Sequence, residues 1–319
     1  MIRINHILCP LDLSEVSERA LDHATALARW YGATITALHV WPTVSMTDMA
    51  THAPVVPAHL DESTRGDLEP GLERIVGPAR QAGARMRTLV VDGDPAREIL
   101  RQAVDTSADL LVMGTHGPPG LQRWILGSVT ESVLRRAPCP VLTVATPAQA
   151  RVSPVELQTI LGAIDFSEAS LRAVEYGFSL AQETRSRLVL LHVLAGFPDP
   201  AAEALFLSPD YADRVRQEAH DRLRSLVPEG AGDWCTREAC VRVGRADREI
   251  LRVAQEEGAD LIVMGAQRRG GFDLMLFGST IRAVAREAGC PVLAVPAPGR
   301  LDEARRPEPE DRQEERSAV

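Results

Sequence analysis

The sequence of 319 residues contains no lysine, so all 35 of its basic residues are arginines. A phosphate-binding loop of the Walker A type is therefore excluded, because that loop requires a Gly-Lys-Ser/Thr sequence. Acidic residues outnumber basic ones, and the net charge of -9 argues against nucleic acid or an anionic membrane as the main partner. A phosphate site in this chain must use backbone N–H groups, hydroxyl groups or arginine side chains.

Long hydrophobic runs are also missing, and no segment approaches the roughly 18 to 20 apolar residues of a membrane span. The apolar run at residues 1–8 is too short for a signal peptide and is typical of a first strand. The five cysteines are an odd number, which favours reduced thiols over a disulfide framework. Cys235 and Cys240 form the one close pair, and further ligands are not evident nearby, so we expect no metal site. These features predict a cytoplasmic protein.

The chain contains an internal repeat, and its length is sufficient for two domains. The matching stretches are 108–114 with 259–265, 139–144 with 290–295, and 12–15 with 165–168. The first two pairs share an offset of 151 residues. We therefore predict a first unit at residues 1–147 and a second unit at residues 155–297. The remaining residues, 298–319, are charged and poor in apolar side chains, which predicts a disordered tail.

Each unit alternates predicted strands with predicted helices, the pattern of an α/β fold with a parallel, doubly wound sheet. Asp94 followed by Pro95 marks the start of one helix, and Gly32 marks the end of another. Ligands of such sheets bind beyond the carboxyl ends of the strands, where the winding direction reverses. If strands one and four flank that point, Asp12 and Gly114 face each other across a crevice. Asp12 could instead serve as a cap for the first helix.

A glycine-rich loop separates the fourth strand of the first unit from the helix that follows. The strand ends at Gly114, and the loop continues through Gly117 to Gly127. Ser128 is a candidate N-cap, and Glu131 three residues later would complete a capping box. Glycines let backbone N–H groups approach an anion, and a helix start adds unpaired donors and a positive dipole. The segment is therefore either a phosphate cradle or an ordinary turn before a capped helix.

The spacing Gly114-x2-Gly117-x9-Gly127-Ser128 closely resembles the nucleotide-binding loop of the universal stress protein family, G-x2-G-x9-G-[S/T]. The resemblance covers nearly the whole chain as two Rossmann-like domains, each implied to hold a five-stranded parallel sheet in the order 3-2-1-4-5. It implies ATP with Mg²⁺ as the ligand of the first unit. The implied binding residues are Pro10 and Val40 at the adenine, Asp12 at the ribose, Met113 and Gly114 beside the nucleotide, and Gly117, Gly127, Ser128, Val129 and Thr130 at the phosphates.

The second unit departs from this pattern at two positions, one of which is Ala163 at the counterpart of Pro10. Gly265 is retained, but Arg268 stands where the second glycine of the loop belongs. The arginine side chain can bind phosphate, or its bulk can block the backbone approach that glycine permits. We expect weaker binding in this unit. Its candidate residues are Asp165, Val193, Gly265, Arg268, Gly278, Ser279 and Thr280.

The sequence is compatible with three functions. The first is a cytoplasmic stress-response protein that binds ATP in the first unit and acts through its nucleotide state. The second is a slow ATPase, although the sequence offers no recognisable catalytic base and no lysine. The third is an interaction module without nucleotide.

His39 and His192 occupy matching strand positions, where we expect core histidines bonded to backbone.

The repeat also predicts how the units associate. We expect the two units to pack about a pseudo-two-fold axis, like a dimer of single-domain relatives, because their apolar last strands need to be covered. A homodimer of whole chains stays an open alternative, and the sequence identifies no protein partner.

Overall fold

A computed structural model of the protein describes residues 2–42, 62–115, 126–145, 155–195, 209–227, 237–266, 268–269 and 276–297. The predicted tail at 298–319 lies outside these residues. The strands are β1 His6–Pro10, β2 Thr34–Pro42, β3 Met86–Gly93, β4 Leu110–Gly114, β5 Val141–Val144, β6 Thr159–Ile164, β7 Arg187–Ala195, β8 Arg237–Gly244, β9 Leu261–Ala266, β10 Arg268–Arg269, β11 Leu276–Phe277 and β12 Val292–Pro296. The helices are α1 Glu15–Tyr31, α2 Glu62–Gln81, α3 Pro95–Asp105, α4 Ser128–Arg136, α5 Glu168–Thr184, α6 Pro209–Ser225, α7 Ala246–Glu256 and α8 Ser279–Glu287.

Helix boundaries follow the capping residues of the sequence. The side chain of Ser14 accepts a hydrogen bond at the start of α1, and Gly32 ends that helix in the left-handed region with φ 66°. Asp94 caps α3 by accepting from the N–H of Arg97, and Pro95 is the first helical residue, as predicted.

Ten of the strands form one sheet in the order β3-β2-β1-β4-β5-β12-β9-β6-β7-β8. The first five strands in this order belong to the first unit, and the last five repeat the order in reverse. The α/β fold and the order 3-2-1-4-5 in each unit are therefore confirmed. All pairs within a unit are parallel, as successive strands joined by helical crossovers require.

The two units join through their last strands. β5 and β12 pair antiparallel, and Leu142 lies opposite Leu293. These two leucines are counterparts in the repeat, since they are 151 residues apart. A strand that pairs antiparallel with its own counterpart, with equivalent residues opposite each other, places a local two-fold axis between the units. The pairing also covers both apolar edges, because Leu142 is 4% exposed and Leu293 is 3% exposed.

Two apolar layers cover the sheet, one on each face. Side chains from α1, α2, α5 and α6 belong to one layer, with Ala24 and Leu223 among its buried members. Side chains from α3, α4, α7 and α8 belong to the other, with Val133 and Val284 among its buried members. Each layer contains residues of both units, so the units share a continuous core rather than a thin contact.

A small apolar cavity of about 20 Å³ lies at the junction of the units. Its lining includes counterparts from the two units, namely His23 with Tyr176, Leu27 with Leu180, and Leu142 with Leu293. Burial in this apolar environment lowers the pKa of His23 from 6.5 to about 4. His23 is therefore neutral in the folded protein at pH 7.

We expect the protein to lose stability between pH 6.5 and pH 4 because of His23. The folded state holds the histidine at a lower pKa than the unfolded state, so the unfolded chain binds the proton first and stability falls as the pH falls. The full difference between the two pKa values corresponds to roughly 3 kcal/mol. His23→Leu should remove this part of the pH dependence in urea unfolding at pH 7 and pH 5, whereas His220→Leu on α6 should retain it. An unchanged pH dependence in His23→Leu would contradict the assignment.

Candidate functional site

The predicted site residues of the first unit lie at the carboxyl ends of two adjacent strands. Asp12 follows β1, Gly114 ends β4, and these strands pair directly. Asp12 is exposed, and its Oδ1 accepts hydrogen bonds from the N–H of Ser14 at 3.1 Å and from the hydroxyl of Ser14 at 2.5 Å. Ser14, and not Asp12, is the N-cap of α1. The carboxylate is therefore held at the end of the strand by the residue that caps the helix.

The second unit repeats this arrangement. Oδ1 of Asp165 accepts from the N–H of Ser167 at 3.0 Å and from its hydroxyl at 2.5 Å. Burial disfavours the charged form of Asp165, but hydrogen bonds involving Ser167 and Ser170 outweigh it and hold the pKa of this carboxyl below its ordinary value. The residue after each aspartate has a positive φ, 63° at Leu13 and 60° at Phe166.

Apolar residues lie beside the aspartate in the first unit. Val40 and Met113 are buried at the ends of β2 and β4 and belong to the same core layer, and Pro10 at the end of β1 is half-buried. The ring Nδ1 of His39 lies 2.8 Å from the carbonyl of Leu11 and acts as the donor to it. His192 bonds the carbonyl of Ile164 at 2.7 Å in the same way. The expected bond to backbone is confirmed for both histidines, whereas the expected core position is confirmed for His39 only, since His192 is half-buried.

The start of α4 differs from the prediction. The N-cap is Gly127 and has no side-chain cap, so Ser128 is the first helical residue and the predicted capping box is wrong. The carbonyl of Gly127 accepts from the N–H of Glu131 at 2.9 Å, which starts the helix one residue earlier than a Ser128 cap would allow. The exposed side chain of Ser128 is thus free of a capping role.

Two hydrogen-bond donors at the start of α4 already have acceptors within the protein. The N–H of Gly127 donates to the carbonyl of Thr115 at 2.9 Å, and the buried hydroxyl of Thr130 donates to the carbonyl of Gly114 at 2.9 Å. Within the described residues, the N–H groups of Ser128, Val129 and Thr130 have no acceptor. Three backbone N–H donors and the hydroxyl of Ser128 thus have no partner among the described residues, as is usual for the first turn of a helix, while the side chain of Thr130 bonds the end of β4.

Gly117 lies outside the described residues, and so does the side chain of Arg268. The backbone of Arg268 pairs with Phe277 in the short antiparallel strands β10 and β11, directly before α8. Gly278 is the N-cap of α8 and again has no side-chain cap. Among the remaining candidates, Ser279 is exposed, Val193, Gly265 and Thr280 are half-buried, and Thr280 is the counterpart of Val129. The counterpart of Thr130 is the buried Ile281, which cannot make the hydroxyl bond that closes the first loop.

An ion pair joins the first turns of α4 and α8. Glu131 Oε1 lies 3.4 Å from a terminal nitrogen of Arg282 and 3.0 Å from a terminal nitrogen of Arg135. Glu131 and Arg282 are counterparts in the repeat, since they are 151 residues apart. In a dimer of identical domains the same residue would meet itself at this position. The two units have thus diverged to opposite charges where they face each other.

Reversing one of these charges should weaken the association of the units. We expect Glu131→Arg to lower the free energy of unfolding by about 0.5 to 1 kcal/mol, because two arginines then face each other at a half-exposed site. In urea unfolding the double variant Glu131→Arg/Arg282→Glu should recover the part of the loss that comes from Arg282, whereas the repulsion from Arg135 on the same helix remains. Additive effects of the two single changes would show that the pair does not couple the units.

Neither a metal centre nor a membrane helix is found in the described part of the chain. No group of three or more His, Cys, Asp or Glu side chains among these residues is arranged to hold a metal ion. None of the described helices is both long enough and apolar enough to cross a membrane.

Comparison with known proteins places this arrangement in a family. The model of the universal stress protein family matches residues 3–145 and again residues 156–296. A universal stress protein of Mycolicibacterium smegmatis is 30% identical over 295 residues, which span 91% of this chain and 96% of that protein. One of Methanocaldococcus jannaschii is 34% identical over 141 residues, spanning 44% of this chain and 82% of that protein.

A solved structure shows the same fold over nearly the whole length. A universal stress protein of Archaeoglobus fulgidus matches with a TM-score of 0.67 at 22% sequence identity, and the match covers 93% of this chain and 100% of that chain. The family model, the long relative and the repeated sheet order agree. The chain belongs to the universal stress protein family and contains the family's domain twice.

Proposed function

We propose that the first unit binds ATP with Mg²⁺ and that the protein acts in the cytoplasm as a stress-response protein through its nucleotide state. One observation carries this proposal. In the first unit a carboxylate follows β1, apolar side chains lie at the ends of β1, β2 and β4, and N–H groups without an acceptor lie at the start of α4, the helix that follows β4. A carboxylate suits the ribose, apolar side chains suit the base, and N–H donors suit the phosphates of an adenine nucleotide.

Each part of the nucleotide has a suitable neighbour. The carboxylate of Asp12 is a hydrogen-bond acceptor for ribose hydroxyl groups. Half-buried Pro10 offers apolar surface to the adenine ring, and the buried Val40 lies near the end of the neighbouring strand β2. The N–H groups of Ser128, Val129 and Thr130 are donors for phosphate oxygens, and the dipole of α4 adds to their attraction for negative charge. Gly114 ends β4 beside Val16 of α1, and the resemblance assigns Gly117 to the phosphates, where a residue without a side chain lets backbone N–H groups approach an anion.

Mg²⁺ fits this site as a companion of the phosphates. Among the described residues no carboxylate cluster is available to hold the ion, and Mg²⁺ commonly binds through substrate phosphates and water. When bound, the ion would neutralise phosphate charge that the chain, which has no lysine, does not offset with an ammonium group.

We propose a weaker site in the second unit. A guanidinium from α6, that of Arg222, lies 3.8 Å from the ring centroid of Phe166, and this ring lies 4.7 Å from that of His192. The stack is next to Asp165, where the first unit has Leu13. Together with Arg268 and Ile281, it changes the surroundings of the retained aspartate.

Native mass spectrometry of the purified full chain tests the proposal, followed by calorimetric titration with ATP, ADP, cAMP and dAMP. The last two ligands are included because other universal stress proteins have been described in complex with cAMP and dAMP. We expect ATP with Mg²⁺ to bind most tightly, Asp12→Ala to weaken it strongly, and the matched variant Asp165→Ala to have little effect. A purified protein that carries no nucleotide and binds none in titration would contradict the proposal.

A further inference from the structure

We propose that Ser14 is a positioning residue of the nucleotide site, because its hydroxyl group holds the carboxylate of Asp12 for the ribose. The inference rests on the proposed function, since it assigns a role within the same site. Ser14 does not touch the ligand in this proposal. It acts on the nucleotide only through Asp12.

The hydroxyl group of Ser14 makes two contacts with different purposes. Its oxygen accepts the N–H of Ser17 at 3.3 Å, which is the ordinary contact of an N-cap. Its proton is donated to Oδ1 of Asp12 at 2.5 Å. Capping needs only the oxygen, so the second contact is additional. A hydroxyl group has one proton, and here that proton is committed to the carboxylate.

Both donors of Ser14 bind the same oxygen of Asp12. The backbone N–H reaches Oδ1 at 3.1 Å, so together with the hydroxyl group it fixes the plane of the carboxylate. This leaves Oδ2 to accept hydrogen bonds from a ligand. Asp12 is exposed, and an exposed carboxylate without such contacts would rotate between several positions.

The second unit has the same hydrogen bonds at this turn, although a different residue lies between the aspartate and the serine. Ser167 donates to Asp165 at 2.5 Å and accepts the N–H of Ser170 at 3.2 Å. The intervening residue is Phe166 instead of Leu13, yet both have nearly the same positive φ. The Asp-x-Ser sequence therefore forms the same turn with leucine or phenylalanine between, and in both units it orients the carboxylate.

A double-mutant cycle on the full chain tests the role of Ser14. Glycine is a tolerated N-cap, so Ser14→Gly removes the hydroxyl group with little change in helix stability. We expect Ser14→Gly to weaken ATP binding about tenfold, the scale of one hydrogen bond to a charged acceptor. In the Asp12→Ala background the same change should have no further effect. Ser17→Ala is the control, because it removes a neighbouring hydroxyl group that donates to the carbonyl of Ser14 and not to Asp12.

Deoxynucleotides give a second readout. The wild type should bind ATP more tightly than 2′-deoxy-ATP or 3′-deoxy-ATP, and Ser14→Gly should reduce this discrimination, which a purely structural role would not move. Unchanged affinity and discrimination in Ser14→Gly would overturn the positioning role and leave the proposed function intact. An equal loss in the Asp12→Ala background would also overturn it, since Ser14 would then act independently of Asp12. Absence of ATP binding by the wild type would overturn both proposals.

Discussion

Calorimetric titration of the full chain with ATP and Mg²⁺ should give one tight site, located in the first unit. The reason is the contrast between Gly117 and Arg268, which occupy the same position in loops of equal length that share their first and last glycines. A side chain at this position must either displace the phosphates or turn away from them. Each N–H contact to a charged acceptor contributes roughly 1.5 to 3 kcal/mol, so loss of two weakens binding by about two orders of magnitude or more.

Exchange of the two residues tests this reasoning directly. Gly117→Arg should abolish the tight site, because it introduces into the first loop the bulk that the second loop already has. Arg268→Gly should raise the affinity of the second unit, although Ile281 and the stacked Phe166 still distinguish that unit from the first. Two equal tight sites in the unaltered protein would refute the blocking role and make Arg268 a phosphate ligand.

The fold could be predicted from the sequence because its strongest determinants are local. The apolar run that ends at Gly114 and its copy that ends at Gly265 identify the buried central strands, and each strand is followed by a helix pattern. The repeat also predicts that each unit needs a partner for its last strand. In the structure the last strands pair with each other, and Leu142 lies opposite Leu293.

The details of the site depend on geometry that sequence patterns do not fix. Ser128 and Glu131 have the spacing of a capping box, yet Gly127 is the N-cap and Glu131 instead faces Arg282 of the other unit. That contact joins residues far apart in the chain, so no local pattern reveals it. The bond from Ser14 to Asp12 likewise depends on the left-handed turn at Leu13. The Asp-x-Ser sequence in both units was the signal that could have indicated it.

The two central glycines should differ sharply in what they tolerate. A Cβ atom at Gly265 would lie 2.5 Å from the backbone nitrogen of Ser170 and 2.7 Å from the carbonyl carbon of Ala169. At Gly114 the nearest atom would be Cγ1 of Val16, at 2.8 Å. Val16 and Ala169 are counterparts, so the smaller alanine accompanies a closer approach of α5 to its strand. A valine side chain can change rotamer, whereas the backbone of a packed helix must move as a whole.

We therefore expect Gly265→Ala to lower the free energy of unfolding by about 3 kcal/mol and Gly114→Ala by about 1 kcal/mol. Gly278→Ala is the matched control in the second unit. Its φ is -48°, no atom lies within 4 Å of the added Cβ, and the change should stay below about 1 kcal/mol. Urea unfolding followed by circular dichroism measures all three variants against the wild type. Equal losses at Gly265 and Gly114 would show that the helices approach both strands equally closely, contrary to the packing described here.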